Sequence, residues 1–81
     1  MTMPTKEGFK ERIARNMGID PLETKNQTAE QIANLFHPDV KAAALGSQNE
    51  VFKRALEELV AEGCLVKKGN TYSINMDDWD G

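Results

Sequence analysis

The sequence predicts a small α+β domain, mainly helical, with one β-hairpin near its C-terminal end. Three observations predict it. Apolar residues recur at helical spacing around Phe9, Ile32 and Phe52, which places them on one face of a helix. Glycine and proline punctuate these stretches at Gly18, Pro38, Gly46 and Gly63, where helices stop or restart. Beyond Gly63 the pattern changes to two short β-prone runs flanking Gly69-Asn70, a two-residue hairpin signal.

The elements follow in order. Residues 1–27 hold an N-terminal helix and a connector, 28–75 the core, and 76–81 an acidic tail. The first helix is expected over Lys6–Met17, with Pro4 near its start, Gly18 at its stop and Phe9, Ile13 and Met17 on one face. Lys6, Lys10, Arg12 and Arg15 make it the most basic helix of the chain. Residues 19–27 read as a connector. Thr28 and Gln31 have the spacing of a capping box, and Ala29, Ile32, Ala33, Leu35 and Phe36 form an apolar stripe that ends before Pro38. A short helix restarts over Pro38–Leu45, with Asp39 in its first turn. The third core helix is expected over Gln48–Glu62, burying Phe52, Ala55, Leu56, Leu59 and Val60, with Gly63 placed as a C′ glycine. Cys64-Leu65-Val66 starts a strand, and Tyr72 and Ile74 alternate on the return.

Bulk properties narrow the function classes. The 81 residues fit one domain, and a chain this short buries roughly 60% of its unfolded surface. A hydrophobic fraction of 40% and a net charge of −3 are those of a folded chain. The net charge also lacks the strongly basic sign common among nucleic-acid binders. The single cysteine, Cys64, permits no internal disulfide and fits a reducing compartment. No apolar run approaches the ~20 residues that span a bilayer, and the N-terminal residues lack the apolar stretch of a secretory signal. The expected setting is the cytosol, without membrane contact.

The segment VKAAALGSQNEVFKRAL resembles the two-helix unit of bacterial regulators. RALEELVAEGCLV resembles the end of a recognition helix entering a wing, and GNTYSI resembles the wing's return strand. Together these stretches resemble the winged helix-turn-helix family, over residues 28–75. The resemblance implies a winged helix with an extra N-terminal helix. It further implies that Gln48, Asn49, Lys53 and Arg54 enter the major groove, where Arg and Lys read guanine and Asn or Gln read adenine. Lys67, Lys68 and Asn70 in the wing would touch phosphate or the minor groove. Against this, Glu50, Glu57, Glu58 and Glu62 make the third core helix acidic. Lys53, Arg54, Lys67 and Lys68 must outweigh them if DNA binds, with help expected from the basic first helix.

His37-Pro38-Asp39 resembles the signature of J domains, co-chaperones that stimulate the ATPase of a heat-shock chaperone. The helix before it carries Glu30 and no Lys or Arg, and the hairpin over residues 63–74 has no place in that fold. The bland reading is a helix stop followed by a proline-started helix. Catalysis is not expected: His37 and Cys64 are the only residues of their types, and a small buried thiol is the expected role of Cys64. No zinc-site spacing and no phosphate loop occur, so neither metal nor cofactor is expected. In the tail, Trp79 among Asp77, Asp78 and Asp80 suits a basic, apolar partner surface, a mimic of phosphates, a frayed end or a Trp folded over the sheet. The leading expectation is a small DNA-binding regulator or replication accessory. The second is a protein-interaction winged helix within a nucleic-acid-processing complex, with Trp79 or the hairpin edge as anchor.

Overall fold

In the computed structural model, residues 4–20 and 22–76 are described. The element order is α1 (Lys6–Ile19), β1 (Gln27–Thr28), α2 (Ala29–Ala33), α3 (Pro38–Leu45), α4 (Asn49–Ala61), β2 (Leu65–Lys68) and β3 (Thr71–Ile74). The three strands form one antiparallel sheet in the order β1-β3-β2. This is the expected α+β winged-helix arrangement, with a small third strand that the residues did not announce. A two-residue strand carries no alternation to read.

One core joins all the helices and the sheet. Phe9, Ile13 and Met17 of α1 are fully buried beside Ile32, Ala33, Phe52, Ala55 and Leu56. The N-terminal helix is therefore a wall of the core rather than an addition to it. Its centre is the chain's three phenylalanines. Phe9 lies 5.4 Å from Phe52 and 6.2 Å from Phe36, and Phe36 meets Phe52 edge-on at 5.7 Å. These separations are those of favourable tilted aromatic pairs. Leu59 from α4, and Leu65, Tyr72 and Ile74 from the sheet, close the core.

The helix ends follow local chemistry. α1 runs through Gly18 to Ile19, two residues beyond the expected stop. The stop is set instead by Asp20, whose carboxylate accepts the Glu23 amide at 3.2 Å, and by buried Thr24, whose hydroxyl donates to the Met17 carbonyl at 3.1 Å. The Thr28–Gln31 capping box forms as expected. α2 itself is shorter than its stripe, because residues 34–36 continue as a tight turn with Phe36 reaching the core while Leu35 stays exposed. His37 caps α3, its Nδ1 accepting the Asp39 amide at 3.4 Å. At the end of α4, Cys64 N–H donates to the Leu59 carbonyl and Gly63 N–H to that of Val60, with Gly63 at φ 83. That is a Schellman stop. Cys64 then lies exposed, contrary to the expected buried thiol. Leu65 takes the inward position after it.

Two positions of α1 reach across to α4. Lys6 and Lys10 both pair with Glu58, the latter at 3.1 Å, and Lys10 also pairs with Glu62. The Lys6 and Lys10 ammoniums hold the Glu58 carboxyl below its ordinary value of 4.5. Glu62 and then Glu58 hold Lys10 above the usual lysine range.

Phe52→Ala should cost ~3–5 kcal/mol, a large share of a small domain's stability, read as a lower urea midpoint. Gly46→Ala should cost ~1–3 kcal/mol by overpacking, because an added Cβ would sit 2.8 Å from the Ala42 carbonyl oxygen. An unchanged midpoint would show that the α3–α4 turn shifts freely. Glu58 has a folded pKa below its unfolded one, so its contribution is full above pH ~4.5 and fades as pH falls through the lower folded value. Glu58→Gln should therefore flatten the acid limb of the Tm against pH curve. A limb of unchanged slope would remove Glu58 from the acid transition.

Candidate nucleic-acid interface

The outer face of α4 carries Glu50, Lys53, Arg54 and Glu57, spaced to share one side of the helix while Phe52, Ala55, Leu56 and Leu59 are buried on the other. The Lys53 and Arg54 side chains are exposed, and neither has a carboxylate partner among the described residues. Lys53 lines two neighbouring grooves together with Asn70 at the hairpin tip. One, of about 290 Å³, includes Glu57, Lys67 and Tyr72. The other, of about 420 Å³, includes Thr28, Glu30, Leu45 and Asn49. Helix and hairpin thus present one continuous concave surface, with Lys53 and Asn70 on the saddle between its halves.

The hairpin is positioned by its turn and its strand contacts. Gly69 has φ 60, while Asn70 is not among the positive-φ residues. That combination, with glycine at the first turn position, is the demand of a type II′ turn. The Thr71 hydroxyl donates to the Lys68 carbonyl at 2.8 Å and closes the loop.

The four glutamates of α4 and its C-cap are not equivalent. Glu58 and Glu62 face α1 and are neutralised by Lys6 and Lys10. Glu57 pairs with Lys67 at 3.0 Å. Glu50 alone of the four has no ion pair among the described residues. The acidity read from the α4 sequence is therefore mostly compensated within the fold. The same pairing answers the expectation that the basic first helix would assist DNA binding. Lys6 and Lys10 are engaged with α4, Arg15 is engaged with Glu11 at 2.6 Å, and Arg12 is left without a carboxylate partner among the described residues.

The two wing lysines diverge. Alternation along β2 puts Lys67 opposite Tyr72, on the side facing α4, and Lys68 on the other side with Val66 and Ser73. The Lys67 ammonium sits 5.7 Å from the Tyr72 ring centroid and is tied to Glu57. Glu57 first, and Tyr72 second, hold its pKa above the ordinary lysine value. The expectation that Lys67 and Lys68 act together on the backbone is thus divided between two faces.

Gln48 and Asn49 also differ from expectation. Gln48 is the N-cap residue of α4, half-buried, and makes no side-chain cap bond. The Asn49 amide donates to the Ala44 carbonyl at 2.9 Å, so its NH2 group stabilises the α3–α4 turn. A single groove holds Lys53, Asn49 and Asn70, while Arg54 lines none of the grooves described.

Lys25 is a residue that sequence reasoning missed. It lines a groove with Lys68 on the outer side of the sheet. Its place depends on Asn26, whose backbone adopts φ 55 and whose N–H donates to the Ser73 hydroxyl at 2.9 Å. No local signal in the connector reveals that contact across the fold. Trp79, read as a partner anchor, lies outside the described residues. Among the described residues, no three His, Cys, Asp or Glu side chains converge to hold a metal ion, and no helix is long and apolar enough to cross a membrane.

Comparison of the chain with family models, with curated proteins and with solved structures finds no match.

Proposed function

We propose that this chain is a small DNA-binding protein of winged-helix type, a regulator or replication accessory, with α4 in the major groove and the hairpin against the backbone. The observation that carries the reading is the pairing of charges. Internal partners neutralise Glu57, Glu58 and Glu62, while Lys53 and Arg54 remain exposed on α4, Lys53 beside the hairpin tip. Arg54 and Lys53 have the donors for guanine edges in the major groove, and both attract phosphate. Asn70 would touch the backbone or the minor groove edge from the same concave surface. Lys67 contributes less, because Glu57 already compensates it.

A second reading is a protein-interaction module. Ile19 and Leu22, at the α1–β1 connector, are 79% and 69% exposed. Large apolar side chains so close together in sequence and so exposed suit a partner surface.

Titration of mixed-sequence duplex DNA at several salt concentrations separates the two. The DNA reading expects log K to fall linearly with log salt. Arg54→Ala should weaken binding by ~1–3 kcal/mol if it reads a base, or lower the salt slope by about one if it contacts phosphate. Absence of binding at low salt leaves the interaction module.

A further inference from the structure

The outer face of the sheet carries a second cationic site that the α4 surface does not include. Lys68 on β2 and Lys25 in the connector line one groove of about 320 Å³, together with Val66 and Ser73. The residues are far apart in sequence and are brought together by two features. β1 pairs with β3, Gln27 opposite Tyr72 and Thr28 opposite Thr71, which carries the connector alongside the sheet. Asn26 then takes up φ 55 and donates its backbone N–H to Ser73, while the Ser73 hydroxyl lies 3.5 Å from the Asn26 side-chain oxygen. Both lysines are exposed and neither has a carboxylate partner among the described residues. Among the described residues, no acidic side chain lines the groove. It therefore differs from the α4 side of the hairpin, where Glu57 compensates Lys67.

We infer that this groove binds a backbone phosphate of duplex DNA, so that the hairpin is gripped from both sides. The inference rests on the DNA-binding reading above and extends it to a different surface. Two ammonium groups on one side of a hairpin whose other side faces the α4 cations straddle the wing. A wing lying along a duplex groove has a phosphate strand on each flank. On one flank stand Lys53 and Asn70, and on the other Lys25 and Lys68. Ser73 and Asn26 act here as positioning residues, since they hold the connector against β3.

The probe is mixed-sequence duplex DNA, titrated with the full chain at several salt concentrations. Each lysine that neutralises a phosphate contributes roughly 0.9 to the slope of log K against log salt. The double variant Lys25→Gln with Lys68→Gln removes both cations from the one phosphate and should lower that slope by about one, equally for unrelated DNA sequences. The charge-keeping pair Lys25→Arg with Lys68→Arg should retain the slope, which separates lost charge from a disturbed fold. Binding with an unchanged slope in the Gln variant overturns the outer-face site and leaves the α4 reading standing. No binding by the unmodified chain overturns both.

Discussion

The contact among Phe9, Phe36 and Phe52 is the constraint on which the rest depends. Each ring comes from a different segment: α1, the turn after α2, and α4. Their meeting sets where α1 lies on α4, and therefore which of its lysines can reach Glu58 and Glu62. It also places residue 36 immediately before the His37-Pro38 break, so α3 must start from a fixed point. The helix turn at Gly46 then returns the chain to Phe52 at the centre of the same cluster. Topology, ion pairing and the presentation of α4 depend on one aromatic cluster because its rings are large and join three segments at the centre of a small core.

The charges obey a similar economy. A net charge of −3 describes the whole chain, yet it says little about any one face. Acidic groups on the α1 side of α4 are consumed by cations from α1, and Glu57 by the wing. What remains outward on α4 is Lys53 and Arg54 with Glu50 among them, and Lys53 meets Asn70 at the saddle. Surface ion pairs of this exposed kind add little to stability individually. Their larger effect here is to decide which charges a partner meets.

Much of the fold was legible in the residues, for physical reasons that can be named. The periodic burial of Phe9, Ile13 and Met17, the Thr28–Gln31 capping box, the Pro38 restart and the Gly63 stop are local signals. Each appears in the structure, with helix ends shifted by a residue or two. The short β1 was not legible, since two residues pairing with β3 leave no pattern. Nor was Lys25 as a neighbour of Lys68, because a bond between Asn26 and Ser73 is a tertiary event. Counting glutamates along α4 misjudged its face for the same reason, as the compensating lysines lie on another helix and another strand. By contrast, the opposed directions of Lys67 and Lys68 were available from strand alternation alone. The exposed Cys64 was hidden by the Schellman stop, which turns its side chain outward and leaves the inward place to Leu65.

The passage from α4 into β2 has a further consequence. Only Glu62, Gly63 and Cys64 separate the helix from the strand, and two backbone hydrogen bonds and the Glu57–Lys67 pair brace that junction. The helix and the hairpin therefore share a hinge-free corner. A partner touching both would not have to immobilise a loop between them, so little conformational entropy is lost on association. Specific contact by so small a surface then becomes a question of complementarity rather than of ordering.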